Sequence, residues 1–408
     1  MKQQRKYPIV TITDKGAAFL KAGHVWVYEQ EVRELVGAPN DGDLVDVLSG
    51  KGRYLGTGFY NSRSKMRVRI LSTNANDTFD EAFFARRLRY CFDYRKTVMG
   101  DDFRCCRLIF GEADGFPGLT VDRFENVLVT QTMSRGIEQR KAILFPLMAK
   151  ILAEMGEPVD AIYERNDIAL REKEGLTQGT GFFAGDGLRT DLDGKLLLTE
   201  NGIVYEVDYM HGQKTGFFLD QKYNRLAAAR LAKGKTVLDC FTHTGAFALN
   251  CAKAGAKRVT AVDISQDAIA LTQANIARNG LSNVDTLCEN VFDLLTRLDK
   301  ENDRTYDYII LDPPAFTKSS STVRAAQRGY KEINLKAMKL LPRGGYLATC
   351  SCSHFMTDAL FRKMLHDAAK DAGVQLRQIE DRRQSPDHPI LWGVPETEYL
   401  KFYLFQIV

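Results

Sequence analysis

The sequence predicts an α/β chain with a mostly parallel, seven-stranded sheet in its C-terminal half and two smaller regions ahead of it. Three observations lead there. Beyond about Lys222, short apolar strands alternate with helical segments, the rhythm of a parallel sheet wrapped by helices. Before about Ser72 the chain reads as short β-segments separated by glycine turns, the pattern of a small barrel. Between the two, helices and strands mix without repeats or low-complexity tracts, as in an α+β region. The expected domains are therefore residues 1–74, 75–200 and 201–408, the last opening with a β-hairpin. A chain of 408 residues is long enough for two or three such domains.

The first region carries its strands at Ile9–Thr13, Val45–Leu48, Tyr54–Tyr60 and Met66–Leu71, and the polar stretch Ser72–Asp77 reads as a linker. In the second region, Ala82–Lys96 and Gln139–Met155 have helical periodicity. Leu119–Phe124 and Val127–Thr132 flank a turn at Glu125-Asn126, and Ala161–Arg165 adds a strand. Gly202–Asp220 bridges to the third region. Its strands are expected at Thr236–Leu238, Arg258–Val262, Val284–Leu287, Tyr308–Leu311, Gly345–Thr349, Leu376–Glu380 and Leu400–Phe405. Helices such as Ala246–Ala254, Asp267–Asn279 and Gln327–Leu341 lie between them.

Composition excludes several classes. Hydrophobic residues make up 44% and charged residues 26%, the balance of a water-soluble globular protein. No apolar run approaches the ~20 residues that span a bilayer, and the basic start lacks the apolar stretch of a signal peptide. No membrane association is expected. The eight cysteines form no CxxC pair, which fits a reducing, cytoplasmic setting. Cys91 with Cys105-Cys106 does not supply the roughly four ligands of a zinc site, so no metal is expected. From Lys51 to Arg107 there are thirteen Lys or Arg against six Asp or Glu. Arg63, Lys65, Arg67 and Arg69 alternate, so they share one face of a strand. Such a strip is either a solvated surface or the footprint of a phosphate backbone, and charge alone does not choose.

The chemistry concentrates at the strand ends of the third region. Val237-Leu238-Asp239-Cys240-Phe241-Thr242-His243-Thr244-Gly245-Ala246 is a strand, a loop and the start of a helix. Asp239 can meet a cationic ligand, Phe241 and Thr244 line the loop, and Gly245 permits close backbone approach. The second strand leads to Asp263-Ile264, where an acid can accept hydrogen bonds from ribose hydroxyls. A nicotinamide enzyme would instead want G-x-G-x-x-G to cradle pyrophosphate, which Asp239 would repel. A sulfonium nucleoside has no phosphate, so the pattern favours S-adenosylmethionine. The bland alternative is that both acids only cap turns. After the third strand, Asn290-Val291-Phe292 marks the adenine position, with Phe292 or Val291 against the ring.

The fourth strand ends in Asp312-Pro313-Pro314-Ala315-Phe316, a tetrad suited to methylating nucleobases at nitrogen or carbon. Amino-methylating enzymes place an aromatic directly after the second proline; here that position is Ala315. The fifth strand runs Gly344-Gly345-Tyr346-Leu347-Ala348-Thr349-Cys350-Ser351-Cys352-Ser353. A cysteine opposite an Asp-Pro-Pro loop suits carbon 5 of cytosine, which becomes nucleophilic only after a thiolate adds at carbon 6. A free thiol, with a pKa near 8.5, needs its pKa lowered for this. Asp312 would hydrogen-bond the cytosine edge at nitrogen 3. Buried strand cysteines are more often inert packing, which describes Cys350 better than Cys352.

These strings together resemble the PUA-headed 23S rRNA (cytosine-5)-methyltransferase family. Gly23-His24-Val25-Trp26-Val27-Tyr28, Gly111-Glu112-Ala113-Asp114-Gly115-Phe116-Pro117-Gly118-Leu119 and Gln213-Lys214-Thr215-Gly216-Phe217-Phe218-Leu219-Asp220-Gln221 carry the likeness, with Arg328-Gly329-Tyr330-Lys331-Glu332-Ile333-Asn334 and Ser351-Cys352-Ser353. The resemblance implies a PUA domain, a central α+β domain and a Rossmann-like class I methyltransferase domain. It also implies that Cys352 is the nucleophile, that S-adenosylmethionine is the cofactor, and that RNA, namely 23S rRNA, is the partner. Arg63, Arg67, Arg69 and Lys318 are the expected RNA contacts, and a homodimer is left open. Two departures stand out. Many RNA cytosine-5 enzymes carry a second cysteine where this chain has Ala315, so the base that removes the carbon-5 proton is unassigned. The acid expected to face adenine is replaced by Asn290. Methylation of a base nitrogen without covalent catalysis, or an rRNA-binding assembly role without catalysis, are the alternatives.

Overall fold

The computed structural model describes residues 6–317 and 319–408. The chain divides into two compact units. The first holds the residues up to Leu196 together with Val207–Leu219 and Pro386–Thr397. The second holds Leu197–Glu206, Asp220–Ser385 and Glu398–Val408.

The first unit begins with β1 (Ile9–Ile12), α1 (Asp14–Lys21), β2 (Trp26–Tyr28), β3 (Val32–Val36), β4 (Leu44–Ser49), β5 (Tyr54–Tyr60) and β6 (Met66–Ser72). Their sheet order is β2-β6-β5-β4-β1-β3. Laid flat, the outer strands would stand about 24 Å apart at a strand spacing of ~4.8 Å. Only Glu29–Glu31 separates β2 from β3, a link that reaches about 14 Å at most. The sheet therefore has to curl into a barrel. Val10, Ile12, Val27, Val45, Val47, Val68 and Ile70 fill it. β2 and β3 are not foreseen from the sequence for a physical reason: β2 is three residues long, and β3 is an edge strand with four of its five residues exposed, so neither alternates.

The unit continues with α2 (Glu81–Met99), β7 (Cys105–Phe110), β8 (Leu119–Phe124), β9 (Val127–Thr132), α3 (Arg135–Glu138), α4 (Lys141–Glu154), β10 (Ala161–Arg165), α5 (Leu170–Lys173) and β11 (Thr180–Phe182). The strands form a sheet in the order β11-β10-β9-β8-β7. The Asp80 side chain caps α2 by accepting from Phe83 N at 2.9 Å.

A buried charge cluster ties this layer to the late segment 386–397. Arg95 is wholly buried on α2. Its Nη1 and Nη2 donate to the two carboxylate oxygens of Asp114 at 2.6 and 2.7 Å. Nη2 also reaches the Asp387 carbonyl and Nε the Arg107 carbonyl, each at 2.9 Å. Asp387 Oδ2 accepts from Arg107 N at 2.8 Å. Burial pulls the Arg95 guanidinium down, but Asp114 outweighs it and the net shift is upward, so the guanidinium stays charged.

The second unit is entered through a hairpin, β12 (Lys195–Glu200) and β13 (Ile203–Asp208). It then alternates through α6 (Lys222–Ala229), β14 (Thr236–Cys240), α7 (Ala246–Lys253), β15 (Arg258–Asp263), α8 (Gln266–Arg278), β16 (Val284–Cys288), α9 (Val291–Glu301) and β17 (Tyr308–Leu311). It ends with α10 (Val323–Leu340), β18 (Tyr346–Ser351), α11 (Asp358–Ala372), β19 (Leu376–Arg382) and β20 (Lys401–Ile407). The sheet has seven strands in the order β16-β15-β14-β17-β18-β20-β19, and β20 alone runs against the others. All four residues of β17 are buried, as expected for a strand covered on both faces. Strand order reverses between β14 and β17, and the carboxyl ends at such a reversal are the usual ligand position of these sheets. Among the described residues no helix is long and apolar enough to cross a membrane.

The Arg95 cluster generates one expectation. Asp114→Ala leaves a buried guanidinium without its carboxylate and should cost about 3–5 kcal/mol. Urea unfolding followed by fluorescence measures this; a loss below about 1 kcal/mol would show that the cluster relaxes without it.

Candidate active site

The reversal point is organised by a carboxylate. The sequence ends the first strand at Leu238, but β14 continues through Cys240, which puts Asp239 inside the strand and wholly buried. Its Oδ2 accepts from Thr242 Oγ1 at 2.5 Å and from Ala248 N at 3.0 Å. Its Oδ1 is buried with no hydrogen-bond partner among the described residues. Burial pushes the Asp239 carboxyl up to about 7, against the two hydrogen bonds that favour its charged form.

The loop after β14 places Phe241, His243 and Gly245 in the left-handed region, with φ of 64°, 52° and 81°. A Cβ on Gly245 would also meet Leu249 and Thr272 at 2.7 Å, so this position needs glycine. The alternation turns successive amides in different directions. One of them, His243 N, donates to Asp263 Oδ2 at 2.9 Å. Asp263 is the last residue of β15, and its Oδ1 accepts from Ser265 N at 3.0 Å. Its carboxylate is thus fixed in place, half-buried, with lone pairs remaining on both oxygens. Ile264 beside it is 67% exposed, available to lie along a ligand.

The other expected cofactor residues sort themselves by exposure. Phe241 and Phe292 are half-buried at the rim of the core. Val291 is 2% exposed and packs inward with Leu294 and Leu295, so of the two candidates for the adenine face only Phe292 is presented. Thr244 is likewise buried, and its carbonyl accepts from Asn275 Nδ2 at 3.2 Å. Asn290 caps α9, its Oδ1 accepting from Phe292 N at 2.9 Å. That oxygen keeps one lone pair for a further donor.

Asp312 follows β17 directly and accepts from Gln221 Nε2 at 3.0 Å. Gln221 is held by Asn224 Nδ2 at 2.7 Å. Phe316 turns its ring to Tyr330 at 4.6 Å and Phe292 at 5.8 Å between centroids. The two cysteines at the end of β18 and just beyond it separate sharply. Cys350 is fully buried and held well above the usual thiol range, first by burial and then by Asp312. Cys352 lies one residue past the strand end and is partly exposed.

Two side chains around Cys352 are given no role by the sequence motifs. The Tyr330 hydroxyl shares a hydrogen bond of 3.0 Å with Ser353 Oγ. Lys401 is 3% exposed, and its Nζ donates to the carbonyls of Ser353 and Tyr399, each at 2.7 Å. The available signal was one lysine inside the apolar run Leu400–Phe405.

The expected RNA contacts fare differently. Arg69 is not presented to solvent: at 11% side-chain exposure it bridges Glu112 at 2.8 Å and Glu174 at 3.1 Å. Glu112 also accepts from Trp26 Nε1 at 3.0 Å, and Glu174 from Ser64 Oγ at 2.5 Å. Arg67 pairs with Glu29 at 2.6 Å and is 13% exposed. Of the arginines on the helix, Arg87 is spent on the Leu71 and Gly115 carbonyls, and Arg89 pairs with Glu154. The basic excess of this stretch is largely answered by acids from elsewhere in the same unit. Arg63 and Lys65 are exposed, and among the described residues they make no ion pair. Lys318 lies outside the described residues. Among the described residues no cluster of three or more metal-ligating side chains occurs.

A carboxyl raised by burial makes the folded protein hold a proton that the unfolded chain has released. The Asp239 contribution to stability should therefore fall as pH rises from about 4 to about 7 and level off above. Asp239→Asn should remove roughly 3–5 kcal/mol of that decline in the ligand-free protein. Urea melts across this range test it, and parallel slopes for the two proteins would overturn it.

Comparison with known proteins places this geometry. The PUA-like domain family matches residues 10–73, and the S-adenosylmethionine-dependent methyltransferase family matches residues 153–405. Ribosomal RNA large subunit methyltransferase I of Shigella dysenteriae is 38% identical over 389 residues, 94% of this chain and 95% of that protein. The enzyme of the same name from Klebsiella pneumoniae is 38% identical over 406 residues, covering 98% and 99%. A solved structure described as a SAM-dependent methyltransferase from Streptococcus mutans matches 98% of this chain and 99% of its own with a TM-score of 0.80. At 22% identity that likeness speaks for the fold alone. S-adenosylmethionine is accordingly the cofactor. With a buried acid at β14, a fixed acid at β15 and the Asp-Pro-Pro loop at β17, the chain belongs to the S-adenosylmethionine-dependent methyltransferase family, among the relatives of ribosomal RNA large subunit methyltransferase I.

Proposed function

We propose that this protein methylates carbon 5 of a cytosine in large-subunit (23S) ribosomal RNA, with Cys352 as the covalent nucleophile. The observation that carries the reading is the contrast at neighbouring strand ends. β17 and β18 pair in parallel, Leu311 beside Thr349, so Asp312 and Cys352 leave adjacent strands at the same edge. Cys352 is reachable, whereas Cys350 is sealed and protonated. Nitrogen methylation would need no thiol there. The relatives' name, which gives large-subunit ribosomal RNA, supports the substrate class.

S-adenosylmethionine supplies an electrophilic methyl group when bound. The chain's residues fit it: the unpartnered Asp239 Oδ1 suits a cationic group, Asp263 the ribose hydroxyls, and Phe292 an adenine face. The Cys352 thiolate bonds to carbon 6 of the base, and the electron pair of the 5,6 double bond makes carbon 5 nucleophilic. Asp312 holds the cytosine edge, itself oriented by Gln221. Once carbon 5 carries the methyl group its proton passes to a general base, the 5,6 double bond re-forms and the carbon 6–sulfur bond breaks to return the thiolate. In this reading residues 1–74 and 75–200 hold RNA, and residues 201–408 carry the chemistry in the cytoplasm.

RNA with 5-fluorocytidine at the target should trap the protein covalently, because carbon 5 then has no proton to lose. Peptide mapping should find the RNA on Cys352. An adduct on Cys350, or full methylation by Cys352→Ala, would sink the assignment.

The RNA-binding surface can be tested by separating exposed from paired cations. Arg63→Ala with Lys65→Ala should lower the salt dependence of RNA binding without changing the melting temperature. On single-stranded RNA the slope should fall by roughly 0.7 for each phosphate that is no longer neutralised. Arg69→Ala should instead lower the melting temperature, since it strands Glu112 and Glu174. An unchanged salt slope for the double variant would remove Arg63 and Lys65 from the RNA path.

A further inference from the structure

Lys401 is a buried cation that the reaction as written does not use. It opens β20, which runs against the other strands of the seven-stranded sheet, and stands opposite Ser351 of β18. That reversal carries the first residue of β20 to the edge where the parallel strands end, beside the Ser351-Cys352-Ser353 turn. The Nζ donates to the Ser353 carbonyl on one side and the Tyr399 carbonyl on the other. Both acceptors are neutral, so the turn is pinned but the charge is not cancelled. An ammonium buried this deeply calls for an anion nearby.

The surrounding groups narrow the choice. Burial pulls Lys401 down to about 8, and Cys352 is the strongest electrostatic neighbour pushing it back up, ahead of Asp358. Arg383 works in the opposite sense, and Glu398 contributes last. Asp358 is already engaged by Arg362, Arg383 and the Tyr403 hydroxyl. Glu398 is engaged by Arg383 at 2.6 Å. On the α10 side, burial pushes Tyr330 up to about 12, so it stays neutral. The Tyr399 hydroxyl donates to Asp220 at 2.6 Å. On the β17 side, Asp312 bears a charge of the wrong sign to favour a thiolate and is turned to Gln221. Cys350 is protonated.

We propose that Lys401 is a positioning residue for Cys352: its ammonium fixes the 351–353 turn and stabilises the Cys352 sulfur as a thiolate before substrate arrives. The thiol proton goes to solvent, and Lys401 keeps its own. When the sulfur adds to carbon 6 its negative charge passes into the base ring, and it returns to the sulfur on release. This rests on Cys352 being the nucleophile, but the thiolate itself is measurable without any methyl transfer.

The test is the rate of Cys352 alkylation by iodoacetamide against pH in the full-length protein, without RNA or cofactor. Mass spectrometry of the Cys352 peptide separates it from exposed Cys288. The wild-type midpoint should lie at least one pH unit below the ~8.5 of a free thiol. Lys401→Met should raise it by about one unit or more, a roughly tenfold slower reaction at pH 7. Lys401→Arg should leave it close to wild type. A wild-type midpoint at or above that of a free thiol overturns the proposal without any variant, even if Lys401→Met fails to fold. An unmoved midpoint in a folded Lys401→Met protein that has lost methyl transfer also overturns it, leaving Lys401 a purely structural pin. Full methylation by Cys352→Ala would defeat the nucleophile reading separately, whatever the alkylation profile shows.

Discussion

A carboxylate sealed from water sets the geometry of the catalytic sheet. Asp239 can be buried only because the loop after it folds back to supply Thr242 Oγ1 and Ala248 N. That return requires left-handed backbone at Phe241, His243 and Gly245. It is also what sends His243 N to Asp263 and lets Thr272 Oγ1 reach the His243 carbonyl at 3.0 Å. One desolvated oxygen pair thus fixes the tips of β14 and β15 together with the start of α7. The second oxygen of Asp239 is left without a hydrogen-bond partner among the described residues, a costly arrangement for a buried carboxylate.

Much of this could be read in the sequence because parallel strands advertise themselves. Tyr308–Leu311 is a continuous apolar run, and its strand bounds agree in sequence and structure. Acids, prolines and cysteines that interrupt such runs fall at strand ends, where ligands bind. The misplacements are instructive. Asp239 reads as a loop residue because a charged side chain usually stops a buried strand, whereas here hydrogen bonds from the following loop keep it inside. Val291 reads as a ligand contact because sequence does not say which side of a helix start faces the core.

Electrostatics was the least legible layer. The cations between Lys51 and Arg107 form a dense local excess, but their partners Glu112, Glu154 and Glu174 are far away in sequence. A window count sees one half of each pair. Lys401 shows the converse: its apolar neighbours in sequence mark it as out of place, but only the register of β20 against β18 brings it to the cysteine turn. The parity of β18 adds a further lesson. Cys350 and Cys352 share a side-chain direction by count, yet the strand ends at Ser351, so one is packed and the other is reachable.

The segment 386–397 has a consequence for how the chain is made. Asp387 and His388, buried in the N-terminal unit, are encoded after nearly all of the catalytic sheet. Arg95 and Asp387 are separated by 292 positions, roughly 15–60 s of translation at ~5–20 residues per second. Through that interval the nascent first unit carries Arg95 and Arg107 without the groups that later complete their cluster. Final closure of the first unit waits until only the last strand remains to be synthesised. No single cut in the gene yields either unit as one continuous piece, so its parts are inherited, expressed and degraded together.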